Sequence, residues 1–306
     1  MLNFLPSLLL GVIAWLLFAL NVFFWPILVF LFSILKFILP LKPLRRLFDR
    51  ILPWLAENWI SCNSAWMALV QKTKWDVRGL ENLNYHGWYL VGSNHQSWVD
   101  IFVMQHLLNR RIPLMKFFLN RQLIWVPIMG LAWWALDFPF LRRHSFEFLK
   151  KNPAKKGKDF DTTRKACEKF AQIPTSVMNF LEGTRFSRET HAKQQSPYQY
   201  LLKPKAGGMA LALSVLGEKF HSFLDITIVY LDGIPTFWQF LCGEVKRITV
   251  YISQVEIPPN FLSGDYEGDQ RFRTEFQQWV QQLWQEKDNL IKDIMKNSGN
   301  LEVSTT

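Results

Sequence analysis

Cysteine is scarce in this chain. Cys62, Cys167 and Cys242 are odd in number, far apart and fit no C-x-x-C or Cys/His zinc spacing, which argues against a disulfide framework or a structural zinc and for a reducing compartment. Internal repeats, a G-x-S-x-G nucleophile elbow and a Walker-type phosphate loop are also missing, so the common sequence marks of an activated serine and of a nucleotide cradle are not there. The most informative lack is of charge. From Phe4 to Leu35 no charged residue occurs, and Ser7, Asn21 and Ser33 are the polar interruptions. That run exceeds the roughly 20 residues a helix needs to cross a bilayer, so it is expected in the membrane. No basic region precedes it and no A-x-A site follows, which disfavours a cleaved signal peptide. Pro26 either kinks a spanning helix or marks the bend of a re-entrant hairpin.

What is present narrows the class further. With 306 residues, 49% of them hydrophobic, the chain can bury a sizeable core, and one catalytic domain plus a membrane segment fits better than two full domains. The net charge of +10 points to an anionic partner: lipid head groups, nucleic acid or a phosphorylated substrate. Abundant Phe (26) and Trp (14) tilt that choice toward lipid, because large aromatic rings serve both apolar burial and the membrane boundary. Nucleic acid is therefore not an expected partner. Lys36, Lys42, Arg45, Arg46 and Arg50 follow the apolar run, a basic flank of the kind that stays cytoplasmic and attracts anionic membrane lipid. The expected location is the inner (cytoplasmic) membrane, with the rest of the chain on its cytoplasmic face.

The organisation then reads as a membrane segment over 1–40, a basic flank with an amphipathic helix at 51–71 within 41–84, and a catalytic domain over 85–306. WYLVGS (88–93), SVMNFL (176–181), LDITIVY (224–230) and ITVYIS (248–253) are strand-like. Helical spacing runs from Ser97 to Leu108, from Asp161 to Phe170, from Gly207 to Leu216 and from Arg271 to Lys296. The last ten residues are expected to fray. Alternating strands and helices predict an α/β domain, and KKNPAKKGKD (150–159) reads as a solvated loop.

The chemistry concentrates at three places. In NHQSWVD (94–100), Ser97 and Asp100 have the spacing of a capping box, which would make them ordinary helix-start residues and His95 a turn residue. The same geometry brings His95 and Asp100 within reach, so that the carboxylate holds one imidazole nitrogen and leaves the other to accept a proton. Taken alone, H-x-x-x-x-D is weak, with roughly 0.3 chance matches per chain of this kind. FLEGTRF (180–186) offers a Gly-Thr turn followed by Arg185, whose planar guanidinium suits a phosphate; Glu182 would bind a substrate hydroxyl or fix Arg185. PFLRRH (139–144) sets Arg142 and Arg143 after an apolar stretch. His106, His144 and His191 have no partner at an informative spacing and read as core or surface residues.

In this order, N-H-x-S-x-x-D, an apolar stretch closing on arginine, and F-x-E-G-T-R resemble the glycerophospholipid acyltransferases of the 1-acylglycerol-3-phosphate acyltransferase type over roughly residues 85–232. The resemblance implies an α/β domain with a central, mostly parallel sheet flanked by helices, here preceded by an N-terminal membrane helix or helical hairpin. It implies His95 as general base with Asp100 as its orienter, and Arg143, Glu182, Gly183, Thr184 and Arg185 as ligands of a phosphorylated acceptor. Acyl-CoA or acyl carrier protein would be co-substrate to a lysophospholipid acceptor, with no metal and no resident cofactor. Asp137 stands where the family's second motif begins with Gly, and Leu181 and Phe186 flank E-G-T-R in place of Pro and Ser. DITIVY lacks the prolines of the fourth motif, which is similar to the lysocardiolipin and lysophosphatidylinositol branch. The family resemblance implies 1-acylglycerol-3-phosphate as acceptor, giving phosphatidic acid, while these departures keep lysocardiolipin, lysophosphatidylglycerol and lysophosphatidylinositol as alternatives. A membrane-bound lipid hydrolase and a non-catalytic lipid-binding protein are the rival classes.

Overall fold

The computed structural model describes residues 2, 4–39, 41–138, 140–141, 173–266 and 268–303. The expected helix at 161–170, the lysine-rich loop, Arg142, Arg143, His144 and Cys167 lie outside the described residues.

The uncharged N-terminal run forms one helix, α1 (Ser7–Ile38), which passes through Pro26 without a break, so the re-entrant bend does not occur there. It packs antiparallel on α2 (Lys42–Val70), which opens with a proline in its first turn, where the missing N–H is no loss. Polar ties along its length fix this pair. Leu2 N–H donates to Leu69 O at 2.9 Å, Asn21 Nδ2 to Asn63 Oδ1 at 2.6 Å, and Lys36 pairs with Asp49 at 2.6 Å. A buried amide must find such a partner or lose its hydration uncompensated. The apolar stripe read at 51–71 belongs to this longer α2, and Leu52, Leu55, Ile60, Trp66 and Met67 turn it into the protein core.

The main sheet holds β1 (Lys74–Arg78), β2 (Tyr89–Ser93), β3 (Met115–Phe117), β4 (Ser176–Phe180), β5 (Ser222–Tyr230) and β6 (Arg247–Val255). Their spatial order is β1-β6-β5-β2-β4-β3. β2 runs parallel to β4 and β5, and β3 parallel to β4; β6 returns antiparallel to β5 and carries β1 parallel to itself. The expected mostly parallel sheet is present, and the antiparallel β5–β6 pair makes it mixed; β1 and β3 were not foreseen, because KWDVR alternates exposed with half-buried residues at an edge and β3 is three residues long. β1 places the start of the sheet ahead of residue 85. Leu119–Asn120 and Phe140–Leu141 make a separate two-stranded ribbon.

Helices cover both faces. α3 (Val99–Leu108) joins α1 and α2 on one face, with α4 (Met129–Ala135) beside α1; α5 (Arg188–Gln194) follows β4, and α6 (Gly207–Leu216) leads into β5. α7 (Phe237–Leu241) packs on α1, and α8 (Gln270–Val303) crosses β5. α8 runs past Lys296, where fraying was expected to begin close by. One core joins Val91, Val103, Met104, Trp66 and Phe240. A second joins Leu90, Val177, Leu213, Phe223, Phe276 and Trp284, and a smaller one joins Val29, Leu52, Leu55 and Ala135. Each large side chain so buried contributes roughly 1.5–3 kcal/mol. Gly92 is required in β2, because a Cβ there would sit 2.6 Å from the ring of Phe223.

Candidate active site

The C-terminal ends of the parallel strands meet at one edge, where open α/β sheets commonly bind ligands. β2 hands on to Asn94 and His95, β4 to Glu182, and β5 ends at Tyr230. Asn94 knits two of these ends together: its Nδ2 donates to Ile228 O and its Oδ1 accepts from Ile228 N, both at 2.9 Å.

One carboxylate serves both readings of NHQSWVD, the capping box only in half. Asp100 Oδ2 accepts the N–H of Gln96 at 2.6 Å and of Ser97 at 2.9 Å, the helix-start role that favours an acid in the first turn. The same oxygen lies 2.9 Å from His95 Nδ1. The helix begins at Val99, and the Ser97 hydroxyl, instead of completing the reciprocal box, accepts from Val99 N and donates to Pro235 O. Asp100's side chain is 1% exposed and that of His95 13%, so the carboxylate is sealed while the imidazole reaches the surface. Nε2 of His95 carries no hydrogen bond among the described residues. The ring stacks on Phe180, with centroids 3.8 Å apart and planes at 16°.

A further residue completes the arrangement and was not foreseen. The Tyr230 hydroxyl donates to Asp100 Oδ1 at 2.7 Å, so both oxygens of Asp100 are held. Burial, and next the charge of Asp100, push the Tyr230 phenol well above its ordinary pKa; it stays protonated and remains a donor. A separation of 130 residues in the chain leaves no local spacing from which to read this contact.

The E-G-T-R segment wraps the main chain of His95. Glu182 Oε1 accepts from His95 N at 2.8 Å, Oε2 accepts from Leu202 N at 3.0 Å, and Phe186 N donates to His95 O at 2.7 Å. Glu182 is fully buried, so it holds the imidazole's backbone rather than a substrate hydroxyl or Arg185, which corrects its expected part. Burial raises its pKa to about 8, against the two N–H donors and the charge of Lys287, with Asp100 adding to the rise. Gly183 has φ +68°, and a Cβ there would lie 3.0 Å from Lys205 Cδ, so glycine is needed to turn the chain sharply. Thr184 and Arg185 are exposed beyond that turn. The Arg185 guanidinium lies over the Trp98 ring, 4.9 Å from its centroid, and has no carboxylate partner among the described residues.

The structure therefore brings His95, Asp100, Glu182, Gly183, Thr184 and Arg185 to one edge. His191 and His106 lie elsewhere: His191 Nε2 pairs with Tyr198 O at 2.7 Å, and His106 lies against Trp75, its pKa lowered by burial and then by Arg111.

Comparison with known proteins bears on this site. Residues 74–231 match the family model described as Acyltransferase. The 1-acyl-sn-glycerol-3-phosphate acyltransferase gamma of Mus musculus is 25% identical over 256 residues, covering 79% of this chain and 60% of that protein. Its Homo sapiens counterpart is 24% identical over 195 residues, covering 60% of this chain and 46% of that protein. An uncharacterized acyltransferase of Schizosaccharomyces pombe is 24% identical over 237 residues, covering 69% and 61%. The chain thus spans between 46% and 61% of the length of these relatives. A crystal structure of the 1-acyl-sn-glycerophosphate acyltransferase from Thermotoga maritima covers 90% of this chain, and 95% of its own is matched, with a TM-score of 0.51 and 17% identity; it shares the fold.

Proposed function

The chain belongs to the acyltransferase family, and from that premise we propose that it moves a fatty acyl group from a thioester donor to the free hydroxyl of a lysophospholipid at a membrane surface. The observation that carries this reading is the His95 imidazole, tied through Nδ1 to a sealed carboxylate 2.9 Å away and open at Nε2. Nε2 takes the proton of the acceptor hydroxyl as its oxygen attacks the thioester carbonyl. The tetrahedral intermediate collapses, the carbon–sulfur bond breaks, and the thiolate leaves with the proton from His95. An oriented base of this kind contributes about 10²–10⁴-fold. Arg185 is free to receive the acceptor's phosphate with two parallel N–H groups, which sets the hydroxyl near Nε2 and supplies part of the rate by orientation. Asp100, Tyr230 and Glu182 touch no reacting atom and act by positioning.

1-Acylglycerol-3-phosphate is the acceptor this reading favours, with acyl-CoA or acyl carrier protein as donor and no resident cofactor. The membrane side is the outward face of α1. Its inward face is committed to the protein through Leu10, Ala14 and Val29, while Leu8, Trp15, Leu20, Phe23, Phe24 and Leu31 stand exposed. An apolar surface of that extent is rarely left to water. Lys42, Arg45 and Arg46, exposed at the start of α2, attract anionic lipid, with the catalytic domain on the cytoplasmic face.

The test supplies purified full-length protein with labelled acyl-CoA, or acyl carrier protein carrying the same chain, and a panel of lysophospholipids including 1-acylglycerol-3-phosphate. Wild type should form a diacyl product, and His95→Ala should lose at least about 10²-fold. Absence of product from every acceptor, free fatty acid released to water instead, or full activity in His95→Ala would each overturn the reading.

A further inference from the structure

We propose that the C-terminal helix α8 is a positioning element of the active site, and that Trp284 sets the main chain of His95 through two intervening groups. The inference rests on the acyltransferase reading for its kinetic consequence, but the link itself is structural. α8 lies beyond residues 74–231, the part of the chain that the family model matches.

Trp284, Lys287 and Asp288 are three and four residues apart and so share one side of the helix. All three are buried. The Trp284 indole N–H donates to Leu202 O at 2.9 Å. Leu202 N–H donates to one oxygen of Glu182, and His95 N–H donates to the other, at 3.0 and 2.8 Å. Asp288 accepts the N–H groups of Gln199 and Tyr200, each at 2.8 Å. The loop that presents Leu202 to Glu182 is therefore fastened to α8 at two points, Gln199–Tyr200 and Leu202.

A second arm leaves the same side of α8. Lys287 Nζ donates to Ile226 O at 2.6 Å and to Thr227 Oγ1 at 3.0 Å, and lies 2.9 Å from Asp225 Oδ1. These groups belong to β5. Further along that strand, Ile228 exchanges hydrogen bonds with the Asn94 side chain, and Tyr230 holds Asp100. One arm of α8 thus steadies the backbone of the base, and the other steadies the strand that carries the partner of its orienter. Displacing a reacting group by about 1 Å can lower a rate 10²-fold, so a helix that touches no substrate can still govern turnover.

Trp284→Phe keeps the buried ring and deletes the N–H. In full-length protein it should lower kcat by about tenfold and leave the KM of donor and acceptor within about twofold, the pattern of a lost transition-state geometry. By hydrogen exchange, the amide of His95 should lose protection. Gln285→Ala, on the solvent side of α8, should change neither quantity. Should Trp284→Phe melt below the assay temperature, Asp288→Asn is read in the same way, since it weakens the hold on the same loop. Unchanged kcat and unchanged His95 protection in a folded variant would overturn the proposal, as would a loss lying wholly in KM. Wild type that transfers no acyl group would count against the enzymatic reading alone, because the exchange measurement reports the Trp284-to-His95 link with or without turnover.

Discussion

α1 and α8 are of nearly equal length, 32 and 34 residues, and close opposite faces of the same sheet, yet their outer surfaces are opposites. α1 buries Leu10, Ala14 and Val29 and shows Trp15, Leu20, Phe23 and Phe24 outward. α8 buries Phe276, Val280 and Trp284 and shows Gln278, Gln282, Gln285 and Glu286 outward. Both helices pack a stripe on the core, as any helix on a sheet must. What separates them is the solvent each outer side suits, lipid for α1 and water for α8. On the proposed reading this gives the molecule a membrane side and an aqueous side, with His95 at the strand ends where both are within reach. The polar side also supplies the hydrogen bonds that fix the base, which suits a face whose own exterior makes no demand on its interior chemistry.

Charge placed on the two exteriors is the strongest way to break this comparison. Leu20→Glu with Phe23→Glu should weaken binding to vesicles by at least about tenfold, since each apolar side chain withdrawn from lipid forfeits roughly 1.5–3 kcal/mol. Gln278→Glu with Gln282→Glu on α8 should leave vesicle binding nearly unchanged. Flotation with vesicles of mixed neutral and anionic lipid measures both, and equal losses for the two pairs would erase the distinction between the faces.

A smaller effect sharpens the aqueous side. Glu182 is raised from 4.5 to about 8 by burial. Between those values the folded protein keeps a proton that the unfolded chain has released, so this group makes stability fall as pH rises through that window. Glu182→Gln cannot titrate. Its melting temperature should be lower overall, because an amide NH₂ faces one of the two N–H donors, but its decline from pH 5 to 8 should be shallower than that of wild type. Parallel melting curves against pH would remove Glu182 as the titrating group.

The parts of the site legible in the sequence are those whose partners are close in the chain. His95 and Asp100 are five residues apart, across a strand-to-helix turn, so spacing alone brings them within reach. Gly183 and Arg185 were legible for the same reason, as neighbours in a tight turn. Glu182 was found as a residue but misread in its part, because its partners, His95 and Leu202, are 87 and 20 residues distant. Tyr230 and Trp284 left no trace, since a lone aromatic on an apolar strand or helix reads as core until the fold shows where its polar tip points. Among the elements, the long buried runs of β2, β4, β5 and β6 were clear. β1 was hidden by the alternating charges of an edge strand, and β3 by its brevity.

The claim on which the account turns is that Asp100 holds one nitrogen of His95 so that the other is a bare acceptor. Nitrogen-15 NMR of the histidine-labelled protein, with the His95 signals identified by their loss in His95→Ala, reads this directly. The neutral imidazole of His95 should carry its proton on Nδ1, and Nε2 should show the shift of an unprotonated nitrogen. A proton found on Nε2 of the neutral ring would contradict the account, because a base already protonated at its open nitrogen cannot take one from an acceptor hydroxyl.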